Sequence, residues 1–325
     1  MAALLSVSDL TIAFGGMPVV EEMSFTLDAG EVLGIVGESG SGKSMTALAL
    51  MRLIPPPGRV TQGRISFDGI DVLAQPEKAM QDLRGRALSM IFQEPMSSLN
   101  PVFTIGEQIE ETLRVHERFD RAAARRRAVE LLELVEIPAA ARRLGDYPHQ
   151  LSGGMRQRVM IAIALACRPK VLIADEPTTA LDVTIQAQIL DLLRGLRREL
   201  GMAVIMITHD LGVVAEFADR VMVMYAGRVV ETAPAATLFA SPRHPYTEGL
   251  LASIPRLDGP IARLNAISGM VPSPHAMPPG CRFAPRCPHA RPACDERLPA
   301  ATALAAGHRA ACIRLTDYRH AGSAA

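Results

Sequence analysis

The chain has 325 residues, 49% of them hydrophobic, so it is long enough to bury the core of one large domain and an appendage. Its 34 basic residues are balanced by 34 acidic ones, which excludes the overall positive charge typical of nucleic-acid-binding proteins. The longest apolar run covers only residues 159–167, whereas a membrane-spanning helix needs about 20 such residues. The first residues lack a secretion-signal pattern, so we expect a cytosolic protein.

The first part of the chain alternates strand and turn signals. Residues 4–36 contain several short β-rich stretches, and residues 63–69 add another, which predicts a partly antiparallel β layer. The stretch 31–36 leads through a Gly-rich turn into residues 44–54, whose apolar spacing is helical until three prolines follow at 55–57. This order predicts a strand, a loop and a helix.

The middle of the chain is helical and strongly charged. Acidic and basic residues are interleaved over 105–137, which predicts a separate helical lobe within about residues 100–168. The arginine run 125–127 resembles a nucleic-acid patch, but the acidic residues beside it favour a solvated helix face.

The following segments alternate between the two element types. We predict helices at 155–166, 183–200 and 211–218, and strands at 171–174 and 203–208. This alternation favours a largely parallel sheet covered on both faces, and therefore an α/β fold.

A hairpin-like pair of strands follows, with Ala226 and Gly227 at its turn. Beyond Ile254 the composition becomes Pro-rich, so we predict one domain at 1–255 and a small Cys-rich extension at 256–325.

A phosphate-binding pattern lies at residues 37–44, which read GESGSGKS and match G-x-x-x-x-G-K-[ST] between a predicted strand and helix. In such a loop the backbone N–H groups face the phosphates at the positive end of the helix dipole. Lys43 is expected to neutralise the β and γ phosphates, and Ser44 to ligate Mg²⁺. The predicted nucleotide contacts are Gly37, Glu38, Ser39, Gly40, Ser41, Gly42, Lys43 and Ser44. A Gly-rich turn without function is the alternative.

The apolar strand VLIAD at residues 171–175 ends in Asp175, and Glu176 follows directly, so two carboxylates are adjacent. Burying such a pair is costly without a cation or hydrogen-bond donors, and a Mg²⁺–nucleotide complex supplies the cation. We expect Asp175 to hold the Mg²⁺ shell and Glu176 to polarise the attacking water. The presence of Glu176 favours hydrolysis over nucleotide binding alone.

Residues 151–158 read LSGGMRQR, in which a Ser and two Gly precede a predicted helix. Ser152 is expected to cap that helix, whose N-terminus forms a second anion-binding site. With this motif between the phosphate loop and the paired acids, the chain resembles the ABC ATPase family. The resemblance implies that Ser152, Gly153 and Gly154 close over the ATP held by a partner subunit.

The resemblance extends to four further residues. It implies that Gln93 contacts Mg²⁺ and relays to membrane subunits, that Asp182 belongs to the D-loop, that His209 is the switch histidine and that Phe14 stacks on adenine. Each of these has an ordinary structural alternative, since a lone Gln, His or Phe at a strand end is usually a packing or surface residue.

One position departs from the family pattern. Met155 stands where the family more often has Gln, and a thioether cannot donate the hydrogen bonds of an amide. The peptide-importer branch resembles this chain in carrying LSGGMRQR. Whether the two ATP sites of a dimer are equivalent stays open.

Nearly the whole chain resembles the ATPase subunits of dipeptide and oligopeptide importers, in the stretches 92–109, 147–165, 175–190 and 244–258. The resemblance implies an ATP-driven clamp between two such subunits, homo- or heterodimeric, that act on two permease subunits and an extracytoplasmic solute-binding protein at the inner membrane. Importers of nickel, glutathione or another small solute are alternatives within the branch. A soluble DNA-repair ATPase and a non-hydrolysing module are alternatives from other classes.

Four of the five cysteines fall in the Pro-rich segment: Cys281, Cys287, Cys294 and Cys312. Such a segment has too few apolar residues to fold by burial alone, and four thiolates can hold Zn²⁺ or an iron–sulfur cluster. The resemblance to peptide-importer ATPases favours a 4Fe-4S cluster over Zn²⁺, and unligated thiols are the third possibility. His289 and His308 are near enough in sequence to substitute as ligands, whereas Cys167 is expected in the helical core.

Overall fold

The protein is described here by a computed structural model that covers residues 3–94, 98–179, 181–254 and 267–315. The chain forms two compact units. The first contains Met1–Leu4, Leu27–Glu31 and Val72–Ile207, and the second contains Leu5–Thr26, Val32–Asp71 and Thr208–Ala325. The predicted domain boundary near residue 255 lies outside the described residues, which end at 254 and resume at 267. The division at that point therefore stays a prediction.

The described strands are, in chain order, β1 Leu5–Phe14, β2 Met17–Leu27, β3 Val32–Val36, β4 Gly58–Phe67, β5 Ile70–Asp71, β6 Leu88–Ile91, β7 Val171–Asp175, β8 Ala203–Thr208, β9 Arg220–Tyr225, β10 Arg228–Pro234, β11 Thr302–Ala305 and β12 His308–Ala310.

The described α-helices are α1 Lys43–Leu50, α2 Glu77–Leu83, α3 Ile105–His116, α4 Arg121–Leu134, α5 Ala140–Arg143, α6 Gly153–Leu165, α7 Val183–Leu200, α8 Leu211–Phe217, α9 Ala235–Ala240, α10 Pro245–Ala252 and α11 Pro292–Glu296. Short 3₁₀ turns lie at Pro148–Gln150, Pro274–Ala276 and Ala284–Arg286. No helix within these described ranges combines the length and the apolar character that a bilayer span requires.

Three parallel strands form the centre of the first unit. β7 pairs with β6 on one side and with β8 on the other, and every residue of these strands is buried. Strands that are apolar throughout are typical of a parallel sheet covered on both faces, as the sequence predicts. The carboxyl end of β7 therefore places Asp175 and Glu176 at an edge of this sheet.

The predicted helical lobe is present in the first unit. α3 begins with a capping box between Thr104 and Glu107, and Asp120 caps α4. Arg125 lies 3.3 Å from Glu110, so part of the arginine run pairs with acid on the neighbouring helix. The pair supports the interpretation of these arginines as a solvated helix face.

The second unit contains an antiparallel sheet in the order β2, β1, β4, β5, which confirms the predicted β layer. β3 runs parallel to β9, and β9 turns back into β10 at Ala226 and Gly227, as predicted for the hairpin. β12 pairs with β10, and β11 pairs with β12. Two strands of the Cys-rich segment, β12 and then β11, thus continue the sheet beyond β10, and neither was predicted from the sequence.

The end of α1 differs from the prediction. The apolar spacing suggests a helix up to the prolines at 55–57, but α1 ends at Leu50. Arg52 adopts a left-handed conformation with φ of 51°, and the Leu53 N–H donates to the Leu48 carbonyl at 2.8 Å. This helix-ending bond satisfies a terminal carbonyl before the prolines are reached.

Candidate functional site

The phosphate loop follows the buried strand β3 in the second unit. Gly37 has a φ of 155°, and a Cβ at this position would lie 2.2 Å from the carbonyl oxygen of Met224. Gly42 has a φ of 99°, and a Cβ there would lie 2.8 Å from Val20. Both positions therefore require glycine, which accounts for the spacing read from the sequence.

Lys43 is the first residue of α1 and is only 5% exposed. Its Nζ donates to the carbonyl oxygens of Gly37 at 2.7 Å and Glu38 at 3.0 Å, and lies 3.4 Å from the Ser41 hydroxyl. The ammonium is thus held inside the loop at the positive end of a helix. A buried cation at that place favours binding of a phosphate group.

The acidic turn, residues 175–179, begins at the last residue of β7 in the first unit. Asp175 is 4% exposed, and Glu176 adopts a φ of 47° with its N–H donating to the Ile207 carbonyl at 2.8 Å. The strained backbone is thereby tied to the neighbouring strand β8. Strain of this kind is often concentrated at functional sites.

The Glu176 carboxylate is held by two side chains. Gln93 donates to Glu176 Oε2 from Nε2 at 3.1 Å, and Thr179 donates to the same oxygen from Oγ1 at 2.8 Å. The structure thus brings together Gln93 and Glu176, which are 83 positions apart in sequence. Thr179 was not predicted from the sequence. The signal that could have indicated it is a hydroxyl side chain three residues after Glu176.

The signature segment begins α6. The Ser152 side chain accepts a hydrogen bond from the Met155 N–H at 3.3 Å, which confirms the predicted cap. A Cβ at Gly154 would lie 2.8 Å from Ile185 of α7, so this glycine permits close packing of the two helices. Asp182 accepts from the Ile185 N–H at 3.0 Å and caps α7, a structural role that was not predicted for it.

His209 and Phe14 lie in the second unit. His209 is exposed and follows directly after β8. Phe14 ends β1 opposite Gly58, and a Cβ on Gly58 would lie 2.4 Å from the phenyl ring. The half-buried ring therefore lies against Gly58 of β4. The switch role of His209 and the adenine contact of Phe14 stay predictions.

The predicted site residues are divided between the two units. Phe14, the loop 37–44 and His209 belong to the second unit, and Gln93, Ser152, Gly153, Gly154, Asp175, Glu176 and Asp182 belong to the first. The predicted sharing of one Mg²⁺ by Ser44, Gln93 and Asp175 stays a prediction.

The four clustered cysteines line one small cavity of the second unit. None is in a disulfide, and backbone N–H groups of nearby residues donate to the sulfurs, such as Arg291 to Cys294 at 3.5 Å. Burial raises the pKa of Cys281 and Cys312, and raises that of Cys287 to about 11.

No three His, Cys, Asp or Glu side chains in the described part of the chain are grouped so that they could hold a metal ion. The predicted 4Fe-4S cluster, with Zn²⁺ as its alternative, therefore has no support from this arrangement. His308 pairs with Glu231 at 2.8 Å, so its Nε2 already has a partner other than a metal. Cys167 lies in the turn after α6, where burial raises its pKa to about 11.

Comparison with known proteins places the chain in a class. A family model described as "ABC transporter" matches residues 20–179, and one described as "Oligopeptide/dipeptide transporter, C-terminal region" matches residues 230–294. The chain belongs to the ABC transporter family as an ATP-binding subunit, and this class of ATPase couples ATP hydrolysis to transport.

Particular relatives are similar over nearly their full length. The oligopeptide transport ATP-binding protein AppD of Bacillus subtilis is 52% identical, with 96% of this chain and 97% of AppD covered. The dipeptide transport ATP-binding protein DppD of Escherichia coli is 51% identical, with 95% and 96% covered. A putative peptide import ATP-binding protein of Brucella abortus is 55% identical, with 92% and 91% covered.

Solved structures agree with the fold. One is an ATP-binding cassette described as a dimer in a post-hydrolysis state bound to ADP and Pi. It is 30% identical with a TM-score of 0.64, and the match covers 71% of this chain and 98% of the cassette chain. A cassette of Clostridium perfringens, part of an ABC transporter complex, is 27% identical with a TM-score of 0.64, and covers 74% and 92%. The predicted fold class, an α/β ABC ATPase, is confirmed.

Proposed function

We propose that this chain is the ATP-hydrolysing subunit of an ABC importer of dipeptides or oligopeptides. The observation that carries the proposal is the identity of 51–55% with peptide transport ATP-binding proteins over more than nine tenths of the chain. The match of residues 230–294 to the C-terminal region of oligopeptide and dipeptide transporters supports the same branch.

In this proposal the residues of the loop 37–44 bind the phosphates of ATP. Lys43 neutralises phosphate charge. Ser44, Gln93 and Asp175 would hold Mg²⁺, which would supply further positive charge beside the phosphates. Glu176 accepts a proton from the attacking water, and the hydrogen bonds from Gln93 and Thr179 orient its carboxylate. His209 contacts the terminal phosphate, and Phe14 contacts the adenine.

The proposed assembly contains two ATP-binding subunits. The residues Ser152, Gly153 and Gly154 of one subunit close over ATP held by the other, and Asp182 lies at the same interface. A Ser cap and two glycines at a helix N-terminus are suited to an anion. The partners are a second copy or a related chain, two permease subunits and an extracytoplasmic solute-binding protein, with this chain on the cytoplasmic face of the inner membrane.

The proposal is tested by purification of the chain with its membrane partners, followed by reconstitution into vesicles. We expect uptake of labelled dipeptides or oligopeptides that requires ATP and the solute-binding protein. Uptake of nickel or glutathione, but of no peptide, would overturn the peptide assignment while preserving the ATPase assignment. ATPase activity stimulated by DNA and not by the permease would overturn both.

The metal centre is a finer proposal about Cys281, Cys287, Cys294 and Cys312. We propose that these thiols together hold a 4Fe-4S cluster, with Zn²⁺ as the second candidate. The proposal rests on the resemblance of this Cys-rich pattern to peptide-importer ATPases and on the single cavity that the four thiols line. In the described residues the thiols are not grouped as metal ligands, so the cluster would have to draw them together.

The test is anaerobic purification, metal analysis and visible absorbance, with Cys287→Ser as the variant. We expect about four iron atoms per chain and an absorbance that the variant loses, as four thiolate ligands imply. One zinc atom per chain would replace the cluster by zinc. Protein that contains neither metal would overturn the proposal.

A further inference from the structure

A long-range ion pair joins the Cys-rich segment to the phosphate loop within the second unit. Arg286 Nη1 lies 2.5 Å from Glu38 Oε2, and Arg286 Nη2 lies 2.9 Å from Glu38 Oε1. The two residues are 248 positions apart. Such a bidentate pair fixes both the position and the orientation of a carboxylate. Glu38 is the second residue of the loop, next to Gly37.

Arg286 is itself held firmly. Its side chain is 5% exposed, its Nε donates to the Ser268 carbonyl at 2.9 Å, and its Nη1 donates to the Tyr225 hydroxyl at 3.2 Å. The guanidinium carbon lies 5.6 Å from the centre of the Tyr225 ring. A donor with this many partners does not reorient freely, so Glu38 is paired with a fixed group.

The backbone of Glu38 is held by the same region. Its N–H donates to the Tyr246 hydroxyl at 2.8 Å, and Tyr246 is fully buried. The Tyr246 ring packs at 4.6 Å from the Tyr225 ring and at 5.4 Å from the Phe283 ring, between centroids. Both the main chain and the side chain of Glu38 therefore depend on residues far along the chain.

The position of Glu38 affects the cation of the loop. The Glu38 carbonyl accepts from Lys43 Nζ and from the Ser41 N–H at 3.2 Å, so a shift of Glu38 moves partners of Lys43. The Glu38 carboxylate also carries a negative charge beside a loop that binds an anion. Without a cationic partner, that charge opposes phosphate binding.

We propose that Arg286 is a positioning residue for the phosphate loop: it neutralises and orients Glu38, and through Glu38 it raises the affinity of the loop for the phosphates of ATP. The inference rests on the proposed function of residues 37–44. It assigns to the Cys-rich segment a direct part in nucleotide affinity, in addition to any metal that the thiols hold.

The experiment measures the dissociation constant of ATP by calorimetry, on the full chain, with magnesium chelated so that ATP is not turned over. We expect Arg286→Ala to weaken binding about tenfold and Arg286→Lys about threefold, because lysine retains the charge but not the bidentate geometry. In Arg286→Ala/Glu38→Gln, the unpaired carboxylate is gone, and we expect affinity to return to within about threefold of the parent. Arg309→Ala, which removes an exposed arginine from β12 of the same segment, is the matched control.

Two results overturn the inference: Arg286→Ala that binds ATP as tightly as Arg309→Ala, or a double variant as weak as Arg286→Ala. The second result would reduce Arg286 to a packing residue. If Arg286→Ala does not fold, as judged by circular dichroism, Arg286→Lys decides, and parental affinity in that variant refutes the proposal. Lys43→Ala separates the two levels, since ATP affinity unaffected by that change would refute the phosphate-loop assignment itself.

Discussion

The phosphate loop and the acidic turn are both built around a charged residue, but their support comes from different distances along the chain. Glu176 in the acidic turn is held by Thr179, three residues away, and by Gln93. Glu38 in the phosphate loop is held by Arg286 and Tyr246, which lie more than 200 positions away. The acidic turn is supported chiefly by hydrogen bonds, and the phosphate loop by a bidentate ion pair and an aromatic cluster.

Because of this difference, substitutions in the two regions are expected to affect different properties of the protein. A change within the acidic turn is expected to alter the chemical step, because the affected groups orient a base. A change in the distant support of the phosphate loop is expected to alter affinity for the nucleotide, or stability.

The largest effect is expected from Glu176→Gln. The amide retains hydrogen bonding but cannot accept a proton, so we expect ATP turnover to fall at least about a hundredfold, the lower range for loss of a general base. The affinity for ATP should change less than about threefold, since the phosphate loop is untouched. Steady-state ATPase measurements with the permease partners, together with calorimetric binding, check both values.

Glu133→Gln removes an exposed carboxylate from the helical lobe and is the control. A Glu176→Gln protein that retains more than about a tenth of parental turnover would contradict the role of Glu176 as base.

The support of the phosphate loop is expected to weaken in acid. Burial lowers the pKa of His244 to about 3, and this residue caps the helix that carries Tyr246. The unfolded chain takes up the proton below about pH 6.5, whereas the folded protein does not, so stability falls as pH decreases from that value. Between pH 7.5 and 5.0, we expect the free energy of unfolding of the parent to fall about 2 kcal/mol more than that of His244→Asn.

Denaturant unfolding at the two pH values measures this difference, and asparagine keeps a capping side chain. His275→Asn, at an exposed histidine, is the control and should lose as much stability in acid as the parent. Equal acid sensitivity of the parent and His244→Asn would contradict the assignment to His244.

The smallest effect is expected from Thr179→Val. This change preserves the shape of the side chain and removes one hydrogen bond to Glu176, worth about 1 kcal/mol. We expect turnover to fall about fivefold while ATP affinity is unchanged. Thr184→Val, at an exposed position of α7, is the control. A change in ATP affinity without a change in turnover would break the comparison between the two regions.

Local signals in the sequence predicted much of the fold. The helix at 183–200 and the strand at 203–208 have the predicted bounds, because the helix has a clear apolar periodicity, the strand is a continuous apolar run, and Gly201 lies between them. The Ser152 cap and the hairpin turn at Ala226 and Gly227 followed from local chemistry in the same way. Such features depend on residues within a few positions of each other.

The missed features depend on tertiary contacts. β11 and β12 have no clear alternation of apolar residues and become strands by pairing alongside β10. No pattern in the sequence relates Glu38 to Arg286, and a glutamate in a phosphate loop carries no indication of its partner. The end of α1 was missed because it depends on the left-handed conformation of Arg52, an unusual residue for that region.

The pairing of β12 with β10 has a consequence for the integrity of the chain. Glu231 of β10 is buried and accepts a hydrogen bond from His308, while its other oxygen accepts from the His244 N–H. Proteolytic removal of residues after 300 would expose the edge of β10 and take away one partner of a buried acid. The loss would reach His244, whose N–H donates to the same acid and whose side chain caps the helix that carries Tyr246.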